Sequence, residues 1–444
     1  MADDYRAIAD RIAQRIADGR LRPGDRLPPQ RVFARRHGIA GSTAIRVYGE
    51  LVRRGLVVGE VGRGTFVRAA PPLPGPALAE ATGLAPVDLQ LNYPSVEGQS
   101  ELMAGALAAL TRPDVFAEAT TRPAAATGTP AARTAAVRVL ARAGWEPAAE
   151  AVLFAGNGRQ AIAAALSALV PPGGRLGVEA LTYPLVKAVA ERLGVRLVPI
   201  ATDAEGLRPE ALAAAHRAAP LAAVYVQPTL HNPTAATAGP ARRAELAAFL
   251  TESGLPAVED ATWSFLDPSA PPPLAAYAPD QVVLLDSLSK RLSPGLTVGY
   301  LVVPERLRAP VAEALRSGAW TAGGLALAAA TRWTEDGTVA RVVAAKRADT
   351  EARADVVRRR LAGHTLRTSP HAHYCWWTLP AGWRSETFAA AAAARAGVAV
   401  TPGTAFAVGA ASAPDAVRVG LASPPVPVLD EALGRLAALA AEGC

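Results

Sequence analysis

Lysine is rare in this chain, and one lysine stands where chemistry is expected. The 444 residues include 46 basic residues, of which only Lys187, Lys290 and Lys346 are lysines. A desolvated lysine can lose its proton and form a Schiff base with an aldehyde, which an arginine cannot do. Lys290 ends the sequence Ser-Leu-Ser-Lys, directly after a hydrophobic run. Two interpretations are open: an amine that binds an aldehyde, or a surface lysine beside a turn.

Other polar residues also follow hydrophobic runs. Gly158 and Arg159 open a helix after a glycine turn, where backbone N–H groups favour an anion. Tyr183 offers a ring for stacking, and Asn232 offers an amide to a phenolic oxygen. Asp260 ends a hydrophobic run, where a carboxylate is costly unless it is exposed or paired, for example with a protonated pyridine nitrogen. Taken alone, each has an ordinary explanation: a common glycine turn, a packing tyrosine or a plain loop.

The elements that must position these residues alternate along the chain. Strands are predicted at 151–155, 175–179, 196–200, 222–227, 257–259, 282–286 and 299–303, and helices at 159–169, 184–193, 208–217 and 240–253. This pattern predicts an α/β fold with a mostly parallel, doubly wound sheet, in which ligands bind at the carboxyl ends of the strands. Strands at 374–379, 398–401 and 415–421 predict a small α+β subdomain at the C-terminal end.

The net charge of +7 is concentrated at one end of the chain. Residues 1–70 contain 14 arginines and 7 acidic residues, so they carry the whole excess, and the remaining residues are balanced. Such an asymmetry indicates a polyanion partner for one module, of which nucleic acid is the usual example. The alternative is a solvated, arginine-rich surface.

The same 70 residues predict a winged helix-turn-helix. Helices are expected at 4–18, from Leu27 to about His37, and from Ser42 to 53 or 54, followed by a hairpin whose strands lie at 56–58 and 64–67. On the third helix, the spacing places one set of residues inward: Ala44, Val47, Tyr48 and Leu51. It places another set outward: Ser42, Thr43, Arg46, Glu50 and Arg53.

Three stretches of this module resemble the GntR-type DNA-binding domain: Gly-Arg-Leu-Arg-Pro-Gly-Asp-Arg-Leu-Pro, the segment 38–51, and Gly-Arg-Gly-Thr-Phe-Val at 62–67. Gly41 departs from the family, which usually has an arginine there. Hydroxyls and arginines at a helix start suit phosphates and guanine edges. The resemblance implies that five residues contact double-stranded DNA: Arg31, Ser42, Thr43, Arg46 and Arg63 in the wing.

Residues 88–425 are similar to the fold-type-I aminotransferases, which use pyridoxal 5′-phosphate. The glycine turn, the tyrosine, Asn-Pro-Thr, the aspartate, Ser-x-Ser-Lys and the arginine of Val-Arg-Val-Gly occur in the family's order. The resemblance implies that Lys290 forms a Schiff base with the cofactor, Asp260 pairs with its pyridine nitrogen, Asn232 bonds its ring hydroxyl and Tyr183 stacks on the ring. It also implies a phosphate site made by Gly158, Arg159 and Ser287, and a carboxylate clamp, Arg418, for an amino-compound effector.

Two residues depart from the aminotransferase pattern. Thr297 replaces a phosphate-binding arginine, and Thr262 replaces a tyrosine. Loss of a charged hydrogen bond weakens binding by about 1.5–3 kcal/mol. Two alternatives are open for Arg291: it replaces the missing arginine, or, as the immediate neighbour of Lys290, it points elsewhere. His231, Trp263 and His373 line the effector pocket in one interpretation and are ordinary packing residues in the other.

The whole chain resembles the MocR subgroup of GntR regulators. We expect a DNA-binding domain at 1–70, a proline-rich linker at 71–87 and an aminotransferase-like domain at 88–444. The leading hypothesis is a homodimeric transcription regulator that binds pyridoxal 5′-phosphate and senses an amino compound. The alternatives are an active aminotransferase and a cofactor-free ligand sensor.

The cysteine content and the apolar runs of the sequence indicate where in the cell the protein is expected. The two cysteines, Cys375 and Cys444, exclude a disulfide framework and a cysteine-ligated zinc site, as in a reducing cytosol. The first residues lack the pattern of a signal peptide, and no apolar run reaches the roughly 18 residues of a membrane span. We expect a cytoplasmic protein with no membrane partner and no metal.

Overall fold

A computed structural model gives the architecture of the chain. It describes residues 5–17, 20–21, 25–53, 56–60, 64–67, 85–121, 123–142, 144–409 and 413–442. The chain divides into two compact units, Met1–Ala79 and Glu80–Cys444. Most of the predicted linker at 71–87, and Arg63 of the predicted wing, lie outside the described residues. Among the described residues, no helix is long and apolar enough to cross a membrane.

The N-terminal unit has the predicted winged helix-turn-helix order. Its elements are α1 (Tyr5–Ala17), β1 (Arg26–Leu27), α2 (Gln30–His37), α3 (Gly41–Arg53), β2 (Val57–Glu60) and β3 (Gly64–Val67). The strands form an antiparallel sheet in the order β1-β3-β2. Buried side chains from all three helices, including Ile8, Phe33 and Val47, form one core. Gly38 ends α2 in the left-handed conformation, with φ 62°.

Three details of this unit differ from the sequence-based expectation. Leu27 belongs to β1, where it pairs with Thr65, because the pairing with the wing strand takes it out of the helix. The third helix begins at Gly41, one residue before Ser42. Glu50 was expected to point outward but is only 8% exposed, since it lies three residues after Val47 and therefore at the edge of the inward stripe.

The larger unit alternates strands and helices as expected. Its first strands are β4 (Val87–Asp88), β5 (Val152–Ala155), β6 (Arg175–Glu179), β7 (Arg196–Ile200), β8 (Thr202–Asp203), β9 (Gly206–Leu207), β10 (Ala223–Val226), β11 (Ala257–Asp260), β12 (Val282–Ser287) and β13 (Gly299–Val302). Its helices are α4 (Gln99–Ala108), α5 (Pro113–Thr120), α6 (Pro130–Leu140), α7 (Gly158–Leu169), α8 (Pro184–Arg192), α9 (Pro209–Ala218), α10 (Pro240–Ser253), α11 (Leu274–Tyr277), α12 (Leu288–Arg291), α13 (Glu305–Ser317), α14 (Gly324–Glu335), α15 (Thr338–Arg360), α16 (Ser385–Ala391) and α17 (Val426–Ala441).

Seven strands form the central sheet in the order β5-β13-β12-β11-β10-β6-β7. All neighbours are parallel except that β13 runs antiparallel to both β12 and β5. The predicted, mostly parallel sheet is confirmed. Because β13 is reversed, its first residues lie at the edge of the sheet where its parallel neighbours end. Thr297, two residues before β13, is therefore close to the carboxyl ends of the other strands.

Helices cover both faces of the central sheet. One face, which we call the α7 face, packs residues such as Val283 and Leu285 against α7, α8 and α13. The other, the α10 face, packs Val282 and Leu284 against α6, α10, α14 and α15. Burial on both faces explains why the strands are continuous apolar runs rather than alternating ones. Consecutive strand residues point to opposite faces, so Asp286 and Ser287 are separated by the sheet.

The C-terminal subdomain is built on a second sheet. Its strands are β14 (Thr365–Arg367), β15 (Tyr374–Thr378), β16 (Val398–Ala399), β17 (Thr401–Pro402) and β18 (Ala416–Gly420). The sheet order is β14-β15-β18-β17, whereas β16 pairs with β4. The strand expected over 398–401 is thus divided at Val400, because the chain changes from one partner strand to another. The small α+β subdomain is otherwise as predicted.

Gly38→Ala is expected to lower the free energy of unfolding of the N-terminal unit by about 1–2 kcal/mol, because a side chain strains the left-handed backbone. No described atom lies within 4 Å of the added Cβ, so packing is unaffected. Gly41→Ala is the matched control, since it has the same free space but lies in α3. It should leave stability unchanged or raise it by about 0.5–1 kcal/mol. Urea unfolding followed by circular dichroism measures both. Equal losses in the two variants would contradict the explanation.

Candidate functional site

Lys290 lies at the carboxyl edge of the central sheet. It belongs to α12, which directly follows β12. Its Nζ donates a hydrogen bond of 2.7 Å to the carbonyl oxygen of Asn92. The same atom lies 3.5 Å from the ring centre of Tyr93 and 5.2 Å from that of Trp263. Lys290 is therefore an amine enclosed by aromatic rings and only partly exposed.

The electrostatic surroundings of Lys290 favour its neutral form. Burial, and after it the positive charges of Arg418, Arg159 and Lys346, hold the pKa of Lys290 well below the value of 10.5 that is usual for lysine. A neutral amine is a nucleophile, whereas an ammonium group is not. The surroundings thus supply what an aldehyde-binding lysine requires.

Asp260 ends β11 on the α7 face, where it is 4% exposed. Its Oδ2 accepts hydrogen bonds from the hydroxyl of Tyr225 at 2.6 Å and from Nε2 of Gln227 at 3.0 Å. Its Oδ1 accepts the backbone N–H of Thr262 at 3.0 Å. These three bonds offset the cost of burying a carboxylate and fix its direction.

Gln227 connects Asp260 to Asn232. Its Oε1 accepts the backbone N–H of Asn232 at 3.2 Å, while its Nε2 donates to Asp260. Asn232 is 3% exposed, and within the described part of the chain its buried Oδ1 has no hydrogen-bond partner. Such an atom is costly unless a ligand or water satisfies it. The Oδ1 atom of Asn232 is therefore an acceptor that a ligand could use.

Gly158 and Ser287 meet at the start of α7. A Cβ added to Gly158 would lie 3.1 Å from Oγ of Ser287. Asn157 caps the helix by accepting the backbone N–H of Gln160 at 2.9 Å. A helix N-terminus with a hydroxyl beside it is a typical anion site. Arg159, the next residue, is exposed, and its Nη2 lies 3.3 Å from the hydroxyl of Tyr93.

Thr297 and Arg291 do not supply a second cation to this anion site. Thr297 is neutral and shares a hydrogen bond of 3.0 Å with the hydroxyl of Ser289. Of the two alternatives for Arg291, the structure shows the second: it points elsewhere. Its Nη2 lies 2.5 Å from Oδ2 of Asp286, which projects from the α10 face, opposite Ser287. The strand directs the guanidinium away from the anion site.

Arg418 approaches from the C-terminal subdomain. It lies in β18, is 8% exposed, and its Nη2 donates to the carbonyl oxygen of Gln90 and, at 3.1 Å, to Oγ1 of Thr401. Its Nε is buried and, among the residues that the structure describes, has no hydrogen-bond partner. The guanidinium is held in place yet keeps a donor for a carboxylate.

Tyr183 lies among the other predicted residues. It follows β6 and precedes α8, and it interacts electrostatically with Arg159, Asp260 and Arg418. Burial raises the pKa of Tyr183, so its hydroxyl stays neutral. The predicted residues of the larger unit therefore converge on one place at the carboxyl edge of the sheet.

Four residues of the site were missed by sequence reasoning. Asn92 and Tyr93 had a detectable signal, because a polar and an aromatic residue stand before a proline at the end of the alternating apolar run 87–91. Gln227, likewise, precedes a proline at the end of a strand. Tyr225 had none, since it lies inside an apolar strand and is indistinguishable there from a core residue.

His373 is a further buried group near Lys290. It is 0% exposed, packs edge-on against Trp263 at 6.4 Å, and within the described ranges neither ring nitrogen has a hydrogen-bond partner. Burial, and then the positive charges of Arg353, Lys346 and Lys290, lower the pKa of His373 to about 3. The imidazole is therefore neutral in the folded protein.

In the N-terminal unit, the predicted DNA-contacting residues differ in exposure. Arg31, Ser42 and Arg46 are exposed, and Thr43 is half-buried. Arg31 lies in the first turn of α2, and Ser42 in the first turn of α3. The guanidinium of Arg46 stacks 4.0 Å from the ring centre of Tyr5.

Comparisons with known proteins show the family. Residues 4–67 match the model described as bacterial regulatory proteins, gntR family, and residues 88–436 match aminotransferase class I and II. The uncharacterized HTH-type transcriptional regulator YdeF of Bacillus subtilis is 31% identical, over 95% of this chain and 90% of that protein. The chain is a GntR-type transcription regulator with an aminotransferase class I and II domain. The resemblance to the MocR subgroup is confirmed.

Other relatives of the regulator have more specific names. TauR of Rhodobacter capsulatus is 29% identical over 69% of this chain and 68% of that protein. PdxR of Corynebacterium glutamicum, named as a pyridoxine biosynthesis regulator, is 27% identical over 67% of this chain and 65% of that protein. An archaeal alanine:glyoxylate aminotransferase, 20% identical, covers 80% of this chain and 91% of its own with a TM-score of 0.72, which confirms the fold. Proteins of the aminotransferase class I and II family, which residues 88–436 match, generally depend on pyridoxal 5′-phosphate.

The stability of the regulator should fall with acid because of His373. The unfolded chain takes up a proton near pH 6.5, whereas folded His373 stays neutral to about pH 3. Stability is therefore lost as the pH falls through this window, by about 1.5–2 kcal/mol between pH 6.5 and 5. Urea unfolding of the wild type and of His373→Leu at several pH values measures this loss of stability. The part of the loss that His373 contributes should be absent from the variant. His373→Gln is the control for packing, because it is polar but cannot titrate. If both variants lose as much stability as the wild type between pH 6.5 and 5, His373 is not the cause of the loss.

Proposed function

We propose that the regulator binds pyridoxal 5′-phosphate through Lys290 and uses it to sense an amino compound. The observation that carries the proposal is a lysine whose neutral form is favoured and which lies near Arg418 and Arg159. The Gly158–Ser287 anion site and Asp260 lie at the same edge of the sheet. The open Oδ1 of Asn232 is a second feature that fits the ring hydroxyl of this cofactor.

Each residue has a defined role in this proposal. Pyridoxal 5′-phosphate supplies an aldehyde to which amines bind covalently and a ring that withdraws electrons. Lys290 is the amine of the protein, and burial, followed by the neighbouring cations, lowers its pKa and so favours the neutral form. The carboxylate of Asp260, held by Tyr225 and Gln227, would pair with the protonated ring nitrogen. Tyr183 would stack on the ring.

The phosphate would bind at the start of α7. Backbone N–H groups at Gly158, the hydroxyl of Ser287 and the guanidinium of Arg159 are its donors. Thr297 contributes no charge, so this site has one cation fewer than the family pattern. The missing cation favours the second candidate, a sensor that works without the cofactor, and the experiments below separate the two.

The effector would be an amino compound with a carboxylate. Arg159 and Arg418 concentrate positive charge beside Lys290, and a carboxylate bound to Arg418 would offset this charge. Its amine would take the place of Lys290. The proposed signal is therefore the change of Lys290 from a bound to a free amine.

Helix α15 offers a route for this signal within the larger unit. Nζ of Lys346 donates to the carbonyl oxygens of Lys290 at 3.0 Å and Leu292 at 2.7 Å. Two turns further along the same helix, Arg353 donates to the carbonyl oxygens of Leu421 and, at 2.7 Å, Pro424, which follow β18. One rigid helix thus contacts both the backbone that carries Lys290 and the segment after Arg418. In a homodimer, which we also propose, two DNA-binding units would respond together.

Lys290→Ala should abolish covalent retention of the cofactor. After borohydride reduction and denaturation, the near-ultraviolet absorption band of the cofactor should stay with the wild-type chain and be lost from the variant. In the wild type, borohydride should fix the cofactor on Lys290, and with three lysines in the chain the labelled peptide is readily mapped. Lys187→Arg is the control, because Lys187 holds the carbonyl oxygens of Ala405 and Ala407 outside the proposed contacts. Its spectrum should be unchanged.

The same pair of proteins tests sensing. A panel of free amino acids should change the DNA affinity of the wild type and of Lys187→Arg, measured by fluorescence anisotropy, but not that of Lys290→Ala. An absorption band that stays with the reduced and denatured Lys290→Ala chain, or an amino-acid response that persists in this variant, would overturn the role of Lys290. Sustained keto-acid production would instead support an active aminotransferase. A wild type without the band that still responds would establish the cofactor-free sensor.

Thr297→Arg should tighten the binding of pyridoxal 5′-phosphate about tenfold, because it restores a charged hydrogen bond to the phosphate. Titration of the protein with the cofactor, followed by absorbance, gives the dissociation constant. Thr297→Gln is the control, since it adds similar bulk without charge and should give no such gain. An unchanged constant in Thr297→Arg would mean that the phosphate does not bind beside Ser289 and Thr297.

A further inference from the structure

A cavity lies on the α10 face of the sheet, opposite the face that carries Ser287. Its volume is about 410 Å³, and its walls come from α6, α14, α15 and the segment after β11. Four arginines line it: Arg138, Arg142, Arg291 and Arg347. Asp286 lies beside it, on the opposite face of β12 from Ser287. We call this space the arginine cavity.

The carboxylates around the arginine cavity do not balance the four arginines. Asp286 is occupied by Arg291, whose Nε and Nη2 both contact it. Asp267, the carboxylate in the lining, accepts hydrogen bonds from the backbone and hydroxyl of Ser269. His371 lies 3.7 Å from the same carboxylate. Glu259, a third carboxylate near Arg142, lies 3.7 Å from Nη1 of Arg243 and accepts the backbone N–H groups of Leu274 and Ala275. Three carboxylates therefore lie near the four guanidinium groups, and each already has other partners.

Arg142 has a buried N–H donor that its nearest carboxylate does not reach. Its side chain is 14% exposed, and its Nη2 lies 3.6 Å from Oδ2 of Asp286, which is beyond hydrogen-bond distance. In the part of the chain that the structure describes, this buried Nη2 has no hydrogen-bond partner. Burial, and then the charge of Arg291, lower the pKa of Arg142 to about 10. Burial and Arg291 also lower the pKa of Arg347, so like charges crowd the cavity.

The remaining walls indicate what kind of anion fits. Arginine binds carboxylate and phosphate groups through paired N–H donors. Phe265, Val139 and Val343 add apolar surface to the lining. The volume lies in the range of small-molecule sites and exceeds what a bare ion fills. An organic molecule with two negative charges matches both the arginines and the apolar wall.

We propose that the arginine cavity is a binding site for a small organic dianion, either a phosphate monoester or a dicarboxylate, and that it is separate from the Lys290 site. Arg142, Arg291 and Arg347 would contact the anionic groups. Because Arg291 directly follows Lys290 in α12, occupancy of the cavity bears on the backbone that positions Lys290. The proposal does not depend on cofactor binding.

Isothermal titration of the full-length protein, saturated with pyridoxal 5′-phosphate and held at constant ionic strength, tests this site. The two probes are glycerol 3-phosphate and succinate, which separate the phosphate and dicarboxylate sources. At least one is expected to bind, and Arg142→Gln and Arg347→Gln should each weaken it about tenfold or more. Arg316→Gln is the matched control, because Arg316 is exposed on α13 and does not line the cavity.

The outcomes are decisive in either direction. Weakening in both cavity variants, with Arg316→Gln like the wild type and all circular dichroism spectra alike, supports the site. Arg347→Gln keeps the test valid if Arg142→Gln fails to fold, since Arg347 is less buried. Absence of binding for both probes, or equal binding in every variant, overturns the proposal. The proposal is also overturned if neither probe binds and the cavity variants change the oligomeric state, because the cavity would then be a contact between copies of the chain. Failure of Lys290 to bind the cofactor leaves these results unaffected.

Discussion

The larger unit is organised around a lysine amine placed among positive charges at the end of a parallel sheet. Burial and three nearby cations favour the neutral form of Lys290, and each unit of pKa depression represents about 1.4 kcal/mol of lost preference for the ammonium. This cost is tolerable because the surrounding strands are buried on both faces and hold the site in place. The carbonyl oxygen of Asn92 and the ring of Tyr93 then fix the amine itself.

The three lysines share a use that composition did not reveal. Lys187, Lys290 and Lys346 all donate to backbone carbonyl oxygens. An ammonium is a compact donor that can serve several carbonyls at once, whereas a planar guanidinium needs more room. The rarity of lysine in the sequence indicates a need for an amine that loses its proton. Lys346 adds a structural need, since it holds the end of α12, although burial also lowers the pKa of Lys346 to about 7.

Arginines, like the lysines, connect segments that are distant in sequence. Arg353 joins α15 to the residues after β18, and Arg418 holds Gln90 and Thr401. Arg291, in contrast, pairs locally with Asp286. Because Lys346 and Arg353 lie on one helix, the cofactor side and the effector side of the proposed site share a rigid connection. The proposed sensing and the arginine cavity both depend on how firmly α12 and α15 hold the backbone at Lys290.

The sequence by itself determined the order of strands and helices and the place of the polar residues. Gly158, Tyr183, Asp260 and Lys290 each follow a strand, and the carboxyl ends of parallel strands meet at one edge, so local pattern was enough to bring them together. Only the tertiary structure decided what depends on a distant partner. The face of β12 directs Arg291 to Asp286, Tyr225 bonds Asp260 from a neighbouring strand, and β16 leaves the second sheet to pair with β4. Periodicity reports which side of an element is buried, but the partner across the interface is set by chain segments far away in sequence.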